Sequence, residues 1–176
     1  MQTIGRFNHI GLEGVRDAMI KEVDLDVSAN QLYISSRLTQ VGRVEYLSLL
    51  KAAIQNHDDS WFASTLSKFI QLTELRGMRE VKVPKTASLT LAQGEFNLYY
   101  MRGLCNYAVS NLIDELQVCR FKTVRHARRT SSNVIGTHIS AYDTLTDLRK
   151  PYSQRISPLS KPNSGLTLCI PSDASH

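Results

Sequence analysis

The chain has 176 residues, of which 42% are hydrophobic and 21% are charged, so we expect one domain that can bury its core without needing disulfides or metals. Lys and Arg number 21 against 16 Asp and Glu, which gives a net charge of +5. No apolar run approaches the roughly 20 residues of a membrane-spanning helix, and the first residues lack the pattern of a signal peptide. We therefore expect a cytoplasmic protein, or a virion protein if a phage encodes it, with no membrane partner.

The first predicted element is a short helix over residues 14–24. Val15, Met19 and Val23 recur there every four residues, which is the spacing of one helix face. Residues 28–40 fit either a helix opened by a capping box or a short strand. We favour a helix for this segment.

Two further helices are predicted before the middle of the chain. The first covers residues 44–56, where apolar residues again fall at helical spacing. Asp58 or Asp59 is a suitable N-cap for the second, which is expected to run to about Leu75. Gly77 then suits a left-handed C-terminal cap. The link between the two helices is short, so we expect a helical hairpin.

Residues 79–83 alternate in polarity and precede a proline, which predicts a short strand. A long helix follows, and we expect Gly94 to delay its start to about Glu95. One face of this helix is an apolar stripe of Leu98, Met101, Cys105, Ala108 and Leu112.

The long helix carries a second stripe on a neighbouring face, made of Phe96, Tyr100, Gly103 and Tyr107. A helix that is apolar over much of its circumference is usually central to a core. Tyrosines are also enriched in interfaces between subunits, and Gly103 would let another backbone approach closely. The stripe therefore predicts either core packing or a subunit interface.

The rest of the chain predicts a strand over residues 116–124, a loop over 126–139 and a short helix from Ser140 to Pro151. The segment 151–176 is rich in proline and serine, so we expect an extended tail.

Within this tail, residues 166–170 alternate in polarity and form a predicted strand. A lone strand is not stable in water, so it should add to a sheet edge at 79–83 or 116–124, in its own chain or a neighbour's. Its apolar side chains are candidate subunit contacts: Leu166, Leu168 and Ile170.

These elements predict a mainly helical α+β single domain over residues 1–150, with a small sheet and the extended tail 151–176. The three cysteines, Cys105, Cys119 and Cys169, form no CxxC pair. We expect all three to be free thiols that pack as small apolar side chains. No metal site and no cofactor motif is predicted.

The positive charge is concentrated in one segment. Residues 116–142 contain no acid, and the rest of the chain is neutral. The basic side chains of this segment are Arg120, Lys122, Arg125, Arg128 and Arg129. They can belong to a solvated edge strand, face an acidic surface of another subunit, or neutralise the phosphates of a nucleic acid.

A metal-dependent nuclease is a further alternative. Glu80 and Lys82 on the predicted strand 79–83 resemble half of the PD-(D/E)xK nuclease motif, with Asp58 or Asp59 as the other carboxylate. Such a resemblance implies two carboxylates that hold Mg²⁺ and a lysine that supports the attacking water. A three-residue match is common by chance, and both aspartates suit helix caps instead.

The sequence therefore predicts a non-enzymatic structural subunit that assembles with copies of itself, in a viral (phage) virion. This prediction depends on the missing catalytic motifs and on the two apolar faces of the long helix. The alternative is a nucleic-acid-binding protein that uses residues 120–129, and the metal-dependent nuclease ranks below it.

Overall fold

The computed structural model describes residues 7–122, 133–161 and 164–172 of the chain. The fold is mainly helical α+β, with 53% helix and two small antiparallel sheets, which confirms the predicted class. Contacts divide the chain into two compact units, one of residues 1–24 and 98–176 and one of residues 25–97. This division differs from the predicted one, which separates a domain of residues 1–150 from a tail of residues 151–176. The predicted division stays a prediction.

Five α-helices lie within the described residues: α1 (Val15–Ser28), α2 (Gln40–Asn56), α3 (Asp59–Leu66), α4 (Ala87–Ser110) and α5 (Ala141–Leu148). The strands of the described residues are β1 (Thr73–Arg76), β2 (Arg79–Lys82), β3 (Glu115–Arg120), β4 (His138–Ser140) and β5 (Leu166–Cys169). Strands β1 and β2 form an antiparallel hairpin, and the other sheet has the antiparallel order β4-β3-β5.

The unit of residues 25–97 has a core between α2 and α3, where side chains such as Tyr46, Leu50 and Phe62 are fully buried. Thr39 caps α2 by accepting a hydrogen bond from the Gly42 N–H, with 3.1 Å between the two atoms. Asp58 caps α3 in the same way, as the sequence predicts. These caps set the ends of the helices because each supplies an acceptor to an otherwise unpaired N–H group.

The predicted helix over residues 28–40 is wrong. Helix α1 continues to Ser28 and ends in a left-handed residue, Asn30, with φ of +53°. The N–H of Asn30 donates to the Val27 carbonyl, and the N–H of Gln31 donates to the Asp26 carbonyl. This is the Schellman pattern of a helix end, so the residues that suggest a capping box close one helix instead of opening another.

The predicted extension of the third helix to Leu75 is also wrong. Helix α3 ends at Leu66, a 3-10 turn follows over Ser67–Phe69, and the chain then enters β1. Gly77 lies in the turn between β1 and β2, with φ of +62°. Strand β2 confirms the predicted strand at 79–83, and its partner β1 comes from residues that have helical spacing in the sequence.

Helix α4 begins at Ala87, about two turns before the predicted start. Gly94 lies inside it and is exposed. Glycine inside a helix costs roughly 1 kcal/mol relative to alanine. The burial of Ala92 and Phe96 on either side of the glycine offsets that cost.

The three-stranded sheet belongs to the unit of residues 1–24 and 98–176. Strand β3 is central, so the solvated edge strand, one of the three alternatives for the basic segment, is wrong. The predicted strand at 166–170 is present as β5, and it pairs with β3 of its own chain. All four residues of β5 are buried, and the following N–H, of Ile170, donates to His9 Nε2 over 3.0 Å.

The expectation of three free thiols is wrong. Cys119 on β3 and Cys169 on β5 form a disulfide, with 6.3 Å between their Cα atoms. The sequence does not reveal this pair because the cysteines are 50 residues apart, and only the register of β3 and β5 brings them together. Cys105 is free and buried in α4, where burial raises the pKa of its thiol.

Candidate assembly surfaces

The β1–β2 hairpin is the most exposed apolar element of the unit 25–97. The side chain of Leu72 is 88% exposed, that of Leu75 is 76% exposed, and Met78 at the turn is fully exposed. Gly77 has the positive φ that the first central residue of a type II′ turn requires. A two-stranded sheet is only marginally stable by itself, so this hairpin depends on contacts beyond its own ladder.

An ion-pair group holds the base of the hairpin. Both oxygens of the Glu74 carboxylate accept hydrogen bonds from Arg37, at 2.7 and 3.0 Å, and Arg76 donates to the same carboxylate at 2.9 Å. These hydrogen bonds, that of Arg37 first, lower the pKa of Glu74. The Thr73 hydroxyl donates to Glu80 across the ladder, over 2.7 Å. The ion pairs of Glu74 fix one face of the hairpin, and the Thr73–Glu80 bond lies on the opposite face beside the solvent-exposed Leu75.

A shallow apolar pocket lies in the unit of residues 1–24 and 98–176. It has a volume of about 380 Å³ and lies where α4 ends, β3 begins and β4 meets α5. Its lining consists of Val109, Leu112, Ile113, Asp114, Glu115, Ser140 and Tyr142.

Leu112 in this pocket has a backbone conformation that is unfavourable for leucine. It has φ of +59°, a left-handed conformation that bulky side chains rarely adopt, and its side chain is 90% exposed. The Leu112 N–H donates to the Val109 carbonyl, and the Ile113 N–H donates to the Ala108 carbonyl. Leu112 is thus the left-handed residue of a Schellman cap, where glycine or asparagine is usual.

The two apolar surfaces carry opposite charges. The hairpin segment 72–85 has four exposed bases against Glu74 and Glu80, a net charge of +2. The pocket segments 109–115 and 138–143 have three exposed acids and no lysine or arginine, a net charge of −3. The bases are Arg76, Arg79, Lys82 and Lys85, and the acids are Asp114, Glu115 and Asp143.

Only part of the predicted basic segment lies within the described residues. Arg120 at the end of β3 and Lys122 just after it are half-exposed. Nη1 of Arg120 is buried and has no hydrogen-bond partner among the described residues. The Lys122 Nζ atom lies 5.6 Å from the centre of the Phe121 ring. Three predicted members lie outside the described residues: Arg125, Arg128 and Arg129.

Most of the predicted interface residues lie inside their own chain. Phe96 and Tyr100 are fully buried. Gly103 allows the close backbone approach that we expected, because a Cβ atom there would lie 2.9 Å from the backbone nitrogen of Met19. Tyr107 and Ile170 are half-buried, and Leu166 and Leu168 are buried. Contacts of these residues with a second subunit stay a prediction.

The residues of the nuclease alternative have other roles or stay exposed. Glu80 and Lys82 are exposed on β2, and Asp58 accepts the Trp61 N–H over 2.8 Å as the cap of α3. Asp59 is buried in the first turn of α3. Among the described residues, no group of three or more histidine, cysteine or acidic side chains is arranged to hold a metal ion.

A buried charge cluster is a further feature that the sequence analysis does not predict. The Glu22 carboxylate, fully buried in α1, accepts hydrogen bonds from Arg102, Arg149 and Asn106, at distances of 2.6–3.0 Å. Burial alone would raise the pKa of Glu22, but the hydrogen bonds from Arg149 and Asn106 and the two positive charges lower it below its usual value. Two polar residues four apart in the apolar helix α4, Arg102 and Asn106, are the sequence signal of this cluster.

No protein-family model matches the chain, and no curated protein and no solved structure is significantly similar to it. Of the helices in the described part of the chain, none has both the length and the apolar composition to cross a bilayer.

Proposed function

We propose that this chain is a non-enzymatic structural subunit that assembles with copies of itself into an oligomer or particle. The observation that supports this proposal is the β1–β2 hairpin with its exposed apolar side chains, Leu72, Leu75 and Met78. Exposed apolar groups on a soluble protein commonly mark a surface that a partner covers. A phage virion contains many copies of a few small chains, and it is the setting that we propose, with the cytoplasm as the place of synthesis.

The native mass of the purified chain tests this function. Sedimentation velocity over a hundredfold range of concentration should show species well above the 19.8 kDa of one chain. Electron microscopy of the same sample should show particles of defined size. A chain that stays monomeric at all concentrations would contradict the proposal.

Nucleic-acid binding through residues 120–129 is the second candidate, and the absence of acids from residues 116–142 favours it. If all five basic side chains contact phosphates, the affinity for duplex DNA should fall steeply with salt. A plot of the logarithm of the binding constant against the logarithm of the salt concentration should have a slope of roughly −4 to −5. Charge reversal at Arg125, Arg128 and Arg129 should remove most of the binding. Affinity that responds neither to salt nor to these substitutions would exclude a phosphate-binding role.

A further inference from the structure

We propose that the β1–β2 hairpin of one copy inserts into the pocket at the end of α4 on the next copy. This inference rests on the proposed function, and it names the two surfaces through which the copies associate. The pocket surface is defined as residues 109–115 and 138–143, and the hairpin surface as residues 72–85.

The hairpin has the properties of an inserting element. Leu75 and Met78 lie between the Glu74 ion-pair group and the end of the turn, with Met78 at the tip, and Leu72 lies at the base. Methionine side chains adapt to irregular cavities, because they are unbranched and polarizable. The turn at Gly77 and the Glu74 ion pairs hold the hairpin in one conformation before it binds, which lowers the entropy lost on association.

The pocket has the properties of a receiving surface. Leu112 and Tyr142 are exposed large side chains on its rim, at 90% and 68%. The exposed side chain of Leu112 contributes little to the stability of the fold. Its left-handed backbone conformation is unfavourable for bulky residues such as leucine. Insertion of an apolar partner would bury this side chain, which gives a reason for leucine at a position that suits glycine or asparagine.

Charge identifies the occupant as a second copy of this chain. The pocket surface has a net charge of −3, and the hairpin surface of the same sequence has +2. Two pocket surfaces would repel each other, and so would two hairpin surfaces. The favourable arrangement is therefore one hairpin with one pocket. Such a contact produces rings or open rows when each copy meets two neighbours, and a two-fold dimer when two copies exchange hairpins.

Removal of the apolar side chains from the hairpin is the first test. In Leu75→Ser/Met78→Ser, the apparent association constant measured by sedimentation should fall at least tenfold, with unchanged circular dichroism. The matched control is Val44→Ser, which removes another exposed apolar side chain of the same unit. It should assemble as the wild type does.

Substitution of Leu112, the left-handed residue of the pocket, distinguishes an effect on assembly from an effect on folding. Asparagine adopts the left-handed conformation more readily than leucine, so Leu112→Asn should raise the melting temperature by about 3 °C. The same variant, combined with Tyr142→Ser, should weaken association at least tenfold. Ile156→Ser is the control, because Ile156 is exposed in the same unit but outside the pocket.

Mixing the two variants tests whether the hairpin of one copy binds the pocket of another. The hairpin variant keeps an intact pocket, and the Leu112→Asn/Tyr142→Ser variant keeps an intact hairpin. At a concentration near the dissociation constant of the wild type, each variant alone should be mostly monomeric. An equimolar mixture should form one-to-one dimers of twice the 19.8 kDa chain mass that do not grow further.

The outcomes separate this inference from the function on which it rests. If the wild type is monomeric, both fail. If the wild type assembles and both double variants assemble equally well, the chain is an assembly subunit but this contact is wrong. If the double variants are monomeric and the mixture gives no dimer, the hairpin and the pocket bind partners other than each other, which also overturns the inference.

Discussion

At the scale of single residues, the cluster around Glu22 is an ion-pair group buried inside the unit of residues 1–24 and 98–176. One fully buried carboxylate lies between two guanidinium groups, and Arg102 is itself 1% exposed. Charges buried in this way are tolerated only when each has a close partner. Glu22 therefore matters most as the partner of Arg102.

Replacement of Glu22 by alanine should destabilise the protein by about 3–5 kcal/mol, because a buried arginine is left without its counter-charge. Urea unfolding at pH 7 measures this loss. The exposed Glu13→Ala is the control and should change the free energy of unfolding by less than about 0.5 kcal/mol. A loss in Glu22→Ala as small as that of the control would show that the cluster contributes little to stability.

The cluster also gives stability a defined dependence on pH. The pKa of Glu22 is lower in the folded chain than in the unfolded chain, so its contribution is present above the unfolded value of about 4.3. That contribution should be lost as the pH falls from about 5 through the folded pKa. In a Glu22→Gln variant this part of the acid destabilisation should be absent. Equal steepness of acid unfolding in the variant and the wild type would contradict this expectation.

At the scale of secondary structure, α4 contains two glycines with opposite surroundings. A Cβ atom at Gly94 would meet no other atom within 4 Å, whereas one at Gly103 would lie 2.5 Å from Met19 Cγ. Helix α1 therefore packs against the bare backbone at Gly103. The glycine at 94 has no such partner and only lowers the stability of the helix.

Alanine at these two positions should change stability in opposite directions. Gly94→Ala should raise the free energy of unfolding by about 0.5–1 kcal/mol, because it reduces the entropy of the unfolded chain. Gly103→Ala should lower it by about 1–3 kcal/mol, because Met19 and its backbone must move. Thermal unfolding of both variants measures the difference, and two shifts of the same sign would contradict this packing.

The elements that the sequence predicts well are those with a local signal. The start of α2 is an exception. Its cap, Thr39, is a local signal, but it lies about one turn before residue 44, where the apolar spacing predicts the helix to begin. Helix α5 begins where Ser140 predicts it, since its hydroxyl accepts the Asp143 N–H. Gly77 misleads because a left-handed residue ends a helix or turns a hairpin equally well. Only the pairing of β1 with β2 distinguishes the two, and the residues before Gly77 fit a helical spacing as well as a strand.

At the scale of the whole molecule, the predicted extended tail contributes to the core. Leu166 and Leu168 are buried and β5 pairs with β3, so the last described part of the chain completes the sheet. The sequence predicts the strand and offers four possible partners for it. The sequence does not choose between these partners. The alternating pattern of residues 166–170 shows which face of the strand is apolar, but not which sheet edge the strand joins. The exposed apolar surfaces at the hairpin and the pocket are not predicted for a related reason, because the exposure of Met78 and Leu112 depends on their neighbours in space.

The disulfide should contribute to stability through the loop that it closes. Closing a loop of about 50 residues stabilises a fold by roughly 4 kcal/mol in the chain-entropy model. Reducing agent should therefore lower the melting temperature of the wild type and of Cys105→Ala, which keeps the disulfide. The Cys119→Ser/Cys169→Ser variant should melt at one temperature with or without the agent. A wild type that is insensitive to reduction would show that the bond is not needed for stability.

The Cys119–Cys169 bond also changes what a protease can do to the chain. Together with the intervening backbone it makes a covalent ring that includes α5. A single cut inside this ring adds two chain ends, but it releases no fragment. A nicked molecule should run as one band on a denaturing gel without reductant and as two bands with it. A cut between Cys119 and Cys169 therefore leaves β5 covalently attached to β3.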